Sequence, residues 1–305
     1  MADLAVLVVS WNVCELLCVC LRSLLDDLER SGLEAEVWVV DNASTDGSPE
    51  RVAEEFPAVH LVALPDNVGF TRANNLVLRD LIAGRPSHWR YVWLLNPDTE
   101  VLPGATRALV EWMEREPRAG IVGPQLLYGD GSLQHSAFRF PGLVQLAFEL
   151  FRLPQRLYDT PVNGRYAAHR YARGRPFAVD HPLGAAMLVR LEAVSQVGLL
   201  DEGFTMYCEE IDWCWRMRRA GWRAYCVPQA RVVHHGGRSA AQTPVSSFVR
   251  LWTSRARLYA FHHGPVTRRL ARAMVRIGLR RRARTATPAL RAACHEIVAV
   301  WEPLR

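Results

Sequence analysis

Three short segments carry side chains whose type and spacing could do chemistry. The first is Asn96-Pro97-Asp98-Thr99, directly after the apolar run Tyr91 to Leu95. A carboxylate at a strand end can hold a divalent cation, which in turn neutralises a diphosphate. Asn-Pro-Asp is also a good turn former, so a turn is the competing role. The second is Tyr207-Cys208-Glu209-Glu210-Ile211-Asp212-Trp213-Cys214-Trp215-Arg216. Three carboxylates at a helix start suit the macrodipole. Crowding them also raises the pKa of at least one, as a general base requires. Helical spacing places Glu209 and Asp212 on one face and turns Glu210 about 100° from Glu209. The third is Val232-Val233-His234-His235-Gly236-Gly237-Arg238-Ser239. A histidine at a strand end, followed by glycines that permit close backbone approach, suits a metal or phosphate site. Each segment alone is a weak signal; their order along the chain is a stronger one.

The elements that must position these groups can be read from the apolar pattern. Continuous apolar runs at Leu4 to Val9, Val37 to Val40, His60 to Leu64 and Tyr91 to Leu95 alternate with helical patterns, among them Thr71 to Ala83. Strands that are apolar throughout and alternate with helices predict an α/β fold, a mostly parallel central sheet with flanking helices. Ligands of such sheets sit beyond the carboxyl ends of the strands. Those ends carry Ser10 and Asn12, Asp41 and Asn42, Asn67 and Gly69, and Asn96 and Asp98. No GxGxxG or GxxxxGK[ST] loop is present, which disfavours dinucleotide redox chemistry and P-loop phosphoryl transfer. Leu153 to Ala178 has no regular pattern and reads as a flexible, substrate-facing loop. Regular structure returns at His181 to Arg190, near Leu191 to Val197 and at Glu209 to Ala220.

The charge is divided. All 37 basic residues are Arg. From Met1 to Asp212, 18 Arg face 29 Asp and Glu; from Trp213 to His295 there are 18 Arg and no acid. An acidic front and a basic back suggest an anionic surface, nucleic acid or lipid, as partner for the C-terminal part. Seven Cys, an odd number without a zinc-ligand spacing and without a secretory signal before them, read as reduced thiols of a cytoplasmic protein. No apolar run approaches the ~20 residues that span a bilayer.

At the segments above the sequence resembles the inverting, metal-dependent glycosyltransferases of family two, which have the GT-A fold, and more narrowly their bacterial rhamnosyltransferase-like branch. The matching residues are Val8-Val9-Ser10-Trp11-Asn12, Val39 to Ser48, Asn67-Val68-Gly69-Phe70 with Asn74-Asn75, Leu94 to Thr99, Gly198 to Phe204, and the carboxylate and histidine segments. The resemblance covers about residues 4–240. It implies a glycosyltransferase domain at 1–240, with a nucleotide-sugar half (1–125) and an acceptor half (126–240), followed by an Arg-rich helical extension at 241–305. It implies that Asp41 reads a pyrimidine base with Ser10 and Asn12 in the same pocket, and that Asn67, Gly69, Arg72, Asn74 and Asn96 contact the nucleotide sugar. Asp98 matches the metal-binding carboxylate of the DxD motif. Asn96 stands where many relatives have the first Asp, so a second ligand, His234 with His235 as competitor, becomes more necessary. Glu210 takes the position of the family's base, with Asp212 the alternative. Asp201, Glu209 and Trp213 fall at the acceptor side.

The implied cofactor is Mg²⁺ or Mn²⁺. The implied donor is dTDP-L-rhamnose, or else a UDP-sugar carrying galactofuranose, glucose or N-acetylglucosamine. The implied acceptor is a polyprenyl-diphosphate-linked or cell-surface glycan. Arg268 to Arg284 reads as a helix with Leu270, Ala273, Met274 and Ile277 on one face and Arg268, Arg269, Arg272 and Arg276 opposite. That suits peripheral contact with an anionic membrane at its cytoplasmic face, or packing on the catalytic domain or on a second subunit of a homo-oligomer. An Arg-rich nucleic-acid-binding protein is the rival class. It would have no use for Asp98 and His234, and no nucleic-acid motif is present, so nucleic acid is not an expected partner.

Overall fold

Strand β1 (Leu4–Ser10) is buried at every position because helices cover both faces of its sheet. It pairs in parallel with β2 (Ala35–Asp41) on one side and β4 (Tyr91–Leu95) on the other, and β3 (His60–Ala63) lies outside β2. Alternation sorts its side chains. Leu4, Val6 and Val8 pack with α1 (Cys14–Ser31) and α4 (Ala105–Arg115); Ala5, Leu7 and Val9 pack with α3 (Phe70–Ala83), α7 (Leu191–Val197) and α8 (Glu209–Arg219). The computed structural model describes residues 4–83, 89–204, 206–236 and 242–304.

Beyond β4 the sheet becomes mixed, where the sequence pattern predicts mostly parallel strands. Strand β11 (Ala186–Arg190) runs antiparallel to both β4 and β6 (Ala119–Leu127). Strand β12 (Arg223–His234) returns parallel to β6, and β5 (Thr99–Val101) closes the edge antiparallel to it. The order is β3-β2-β1-β4-β11-β6-β12-β5. Because β11 begins where β4 ends, with Ala186 opposite Leu95, the residues before β11 arrive at the strand-end edge of the sheet.

The stretch Leu153 to Ala178, read above as a flexible substrate-facing loop, forms two short 3-10 turns and helix α6 (Ala168–Ala172), and leads into β9 (Phe177–Val179), which pairs with β12. Its Tyr171 hydroxyl accepts hydrogen bonds from Ser136 N (3.2 Å) and Ala137 N (2.9 Å). A buried polar anchor, not solvation, orders this segment. All seven cysteines are free, and burial pushes the Cys20 thiol up to about 12.

Three helices end the chain: α9 (Pro244–His262), α10 (Pro265–Ala283) and α11 (Pro288–Trp301), each opening on a proline, which costs no intrahelical bond there. With α5 (Leu143–Leu150) they enclose a separate core that includes Leu146, Trp252, Tyr259, Val275, Ile297 and Trp301. At Gly278 a Cβ would meet Leu150 at 2.8 Å, so glycine sets how closely α10 approaches α5. The face of α10 that packs inward is Ala271, Val275, Leu279 and Ala283. Of the apolar face read from the sequence, Leu270 and Ile277 point outward (50% and 46% exposed), Ala273 is half-buried and Met274 packs against the core; Val266, outside that reading, is also exposed at 68%. None of the described helices is long and apolar enough to cross a membrane.

The basic back is partly spent on the acidic front. Arg257 makes a bidentate pair with Asp201 (2.8 and 3.0 Å), Arg255 pairs with Glu149, and His262 meets Asp212 at 2.8 Å. A run of stacked rings, Phe138, His181, Phe140, Trp215 and His262, continues the same seam, with interplanar angles from 7° to 23°.

Candidate active site

A cleft of about 270 Å³ opens at the carboxyl ends of β1 and β4, the point where the strand order reverses direction. Its floor comes from Ser10, Asn42, Asn67, Asn96 and Asp98, its far wall from Glu209, Glu210 and His234. A larger recess of 390 Å³ between α8 and β12 lies elsewhere; its Asp180 is already paired with Arg218 at 2.6 Å.

The floor is made rigid by loop hydrogen bonds. Ser44 Oγ accepts from Asn12 N (2.9 Å), and Asn12 Oδ1 accepts from Thr45 N (2.8 Å). Asp46 caps two neighbours, accepting from Cys14 N at the start of α1 (2.8 Å) and from Ser48 Oγ at the start of α2 (Ser48–Glu55; 2.5 Å). Asn12 takes the left-handed conformation that asparagine tolerates (φ 52°). Its side chain thus braces the turn and does not line the cleft. Asp41 accepts from Ser44 N through Oδ2 (2.8 Å), while its Oδ1 is buried without a partner just behind Asn42. Ser10 Oγ is likewise buried and unpartnered. Unsatisfied buried polar atoms are costly, and here they sit at or next to the cleft.

Chain alternation sends the two histidines to different neighbours. His234 pairs across β12 and β5 with Thr99, which brings it to Asp98, 136 positions earlier, with Nε2 3.5 Å from the carboxylate. Gln134 Oε1 lies 3.0 Å from His234 Nδ1, and the assignment with that nitrogen donating leaves Nε2 as a buried acceptor without a partner. His235 points the other way and meets Glu100 at 2.6 Å. One carboxylate and one imidazole nitrogen with a lone pair suit a divalent cation whose remaining positions go to phosphate oxygens and water. No group of three or more His, Cys, Asp or Glu is gathered for a metal among the described residues.

The start of α8 is shaped by strain. Tyr207 and Cys208 are both left-handed (φ 69° and 67°), at about 1–3 kcal/mol each, and the turn they make delivers Glu209 and Glu210 to the cleft. Burial raises the Glu210 pKa from 4.5 to about 7, against backbone hydrogen bonds that lower it. Glu209 is pushed well above its ordinary value, by burial and then by the charge of Glu210, and its Oε2 has no partner. Asp212 differs. Burial pushes its carboxyl up, but hydrogen bonds from His262 (2.8 Å) and Arg216 (2.7 Å) outweigh this and hold it below the ordinary value. It is absent from the cleft lining and ties α8 to α9.

Several other residues singled out from the sequence lie away from the cleft. Arg72 is exposed, 3.5 Å from Glu202; Asn74 donates to Phe70 O within its own helix (2.9 Å). Asp201 is held by Arg257, and Trp213 is fully buried, its indole N–H donating to Gly198 O (2.9 Å). Arg238 lies outside the described residues. Conversely, the cleft includes Leu183-Gly184-Ala185 before β11, Met206, and Thr243, Ser247 and Arg250 of the C-terminal region, none of which carries a local signal, together with Tyr207, which opens the carboxylate segment.

The strand ends of this sheet gather an Asp–His pair and a carboxyl raised by burial in one cleft, an arrangement suited to group transfer. Residues 5–179 match the family described as glycosyl transferase family 2, and the chain belongs to it. It is a glycosyltransferase. The N-acetylglucosaminyl-diphospho-decaprenol L-rhamnosyltransferase of Mycobacterium tuberculosis is 35% identical to it over 219 residues, 69% of each chain. Among solved structures it resembles a mannosyltransferase of Pyrobaculum calidifontis in complex with GDP-Man and Mn²⁺ (TM-score 0.56, 17% identity, 99% of this chain and 82% of that one). It also resembles GalNAc-T7 with UDP, GalNAc and Mn²⁺ (TM-score 0.58, 15% identity, 76% of this chain), of which it spans 43%. Both confirm the fold.

Proposed function

We propose that the protein transfers L-rhamnose from dTDP-L-rhamnose to an N-acetylglucosaminyl group carried on a polyprenyl diphosphate, with inversion at the anomeric carbon. The observation that carries this reading is the Glu210 carboxyl, raised to about 7 and facing the same cleft as Asp98 and His234. At neutral pH about half of such groups are ionised, and an ionised one retains enough basicity to take a proton from an acceptor hydroxyl. The hydroxyl oxygen attacks the anomeric carbon from the face opposite the diphosphate, which leaves as dTDP. Asp212, held below the ordinary carboxylate range, is a poor proton acceptor at that pH. Asp98 and His234 would hold the divalent cation, which when bound supplies positive charge to the diphosphate. Ser10 and Asp41, with unpartnered buried oxygens, support recognition of the pyrimidine nucleoside. The relative from Mycobacterium tuberculosis, by its name, supports both the sugar and the lipid-linked acceptor.

The outward face of α10 suits the membrane that such an acceptor inhabits. Val266, Leu270 and Ile277 lie along one stripe, with Arg269, Arg276 and Arg280 beside it. The test is transfer assayed with dTDP-rhamnose or UDP-sugars, Mg²⁺ or Mn²⁺, and a polyprenyl-diphospho-N-acetylglucosamine. Release of dTDP with a rhamnosylated lipid is expected. Product only from a UDP-sugar would replace the donor, and no product from any donor would overturn the reading.

A further inference from the structure

Among its described lining residues the cleft has three carboxylates, Asp98, Glu209 and Glu210, and a single guanidinium, that of Arg250. A diphosphate entering this cleft finds one permanently cationic side chain among the described lining residues, and Asn96 in place of a carboxylate leaves a cation there with fewer protein ligands. Arg250 belongs to α9, in the part of the chain beyond the family match. Thr243, Ser247, Arg250 and Ser254 follow one another at helical spacing and form one polar stripe. The stripe is fixed at both ends: Gln242 Nε2 donates to Asn12 O in the β1 loop (2.9 Å), and Ser254 Oγ donates to Met206 O just before the strained turn (2.8 Å). Between them the Tyr207 phenol bonds to Ser247, with Arg250 close enough to act on it electrostatically. The neighbouring Arg255 and Arg257 are committed to Glu149 and Asp201. Arg250 is exposed and has no carboxylate partner among the described residues.

We infer that Arg250 binds the diphosphate that enters the cleft, so that the C-terminal helices complete the ligand site as well as bracing it. The inference rests on the glycosyl-transfer reading. A guanidinium presents a planar fork of donors that matches phosphate oxygens two at a time, and it stays charged at every working pH. Two diphosphates share this chemistry, that of the sugar nucleotide and that of the polyprenyl acceptor.

Calorimetric titration of wild type, Arg250→Ala and Arg250→Lys with dTDP, thymidine and farnesyl diphosphate, in Mg²⁺, separates the possibilities. Arg250→Ala is expected to bind dTDP about 10- to 100-fold more weakly, as for one lost charge-assisted contact. Thymidine affinity and melting temperature should not change, and Arg250→Lys should recover part of the loss. A loss confined to farnesyl diphosphate supports the inference and assigns Arg250 to the acceptor's diphosphate. Unchanged affinity for both diphosphates overturns it, as does a parallel loss of thymidine binding, which would mark a general disturbance of the cleft. If wild type binds neither dTDP, UDP nor farnesyl diphosphate, the glycosyl-transfer reading fails as well.

Discussion

One wall of the cleft, at the ends of β1, β2 and β4, is held by hydrogen bonds among nearby loops, with Asn12, Ser44 and Asp46 doing most of the bracing. The opposite wall, at the start of α8, is held by ion pairs to helix α9: His262 to Asp212 across 50 positions and Arg257 to Asp201 across 56. The first wall is preorganised and carries buried oxygens of Ser10 and Asp41 without a hydrogen-bond partner. The second stores backbone strain at Tyr207 and Cys208 and depends on a docked helix to keep it. Two carboxylates on one helix, Glu210 and Asp212, therefore have opposite environments.

Exchanging their roles is the sharpest way to break this contrast. Glu210→Gln should lower turnover by about 10²- to 10⁴-fold, the usual worth of a positioned base, with no fall in melting temperature at pH 8. The sign follows from the raised pKa: the Glu210 contribution to stability is present in acid and lost as pH rises through about 7, so an uncharged glutamine avoids that loss. Wild-type turnover should accordingly climb with pH through about 7 in an initial-rate profile. A Glu210→Gln protein with full turnover would remove it from the chemistry.

Asp212→Ala should cost about 3–5 kcal/mol in urea denaturation, because it leaves the buried His262 ring without its carboxylate and Arg216 with only backbone acceptors. The lowered Asp212 carboxyl stabilises the fold above its ordinary pKa, and that contribution fades as pH falls through the lowered value. Folded protein that has nonetheless lost turnover as completely as Glu210→Gln would reverse the assignment. Gly278→Ala should cost less, about 1–3 kcal/mol by overpacking against Leu150, read as a lower melting temperature. Smallest in stability, within about 0.5 kcal/mol, is Leu270→Glu with Ile277→Glu. The pair should release the protein from anionic vesicles in co-sedimentation while leaving transfer to a water-soluble acceptor intact. Unaltered vesicle binding would exclude that face as the membrane contact.

The two walls were not equally legible in the sequence. Apolar runs and the polar residues ending them located β1, β2 and β4, and with them Ser10, Asn67, Asn96 and Asp98, because strand and site are continuous in the chain. His234 was legible as a residue type, but its separation from His235 needed the β5–β12 pairing. Glu210 and Asp212 could not be told apart, since what distinguishes them is a histidine fifty positions later. Arg72, Asn74, Asp201 and Trp213 have side chains suited to a ligand, yet Arg72, Asp201 and Trp213 meet other parts of the chain and Asn74 bonds back to its own helix. A polar or aromatic side chain carries no local mark of which partner it will find. The mixed half of the sheet escaped the pattern for a similar reason: a buried strand reads as apolar whichever way it runs.

The link from Gln242 to Asn12 ties the segment entering α9 to the loop after β1, 230 positions earlier. Chains fold from the N-terminus as they emerge, so the wall at the ends of β1 and β2 can begin to form before α9 has left the ribosome. The cleft then gains its second wall last. A chain clipped before α9 would keep the loop hydrogen bonds of the first wall but lose the contacts that brace the turn carrying Glu210.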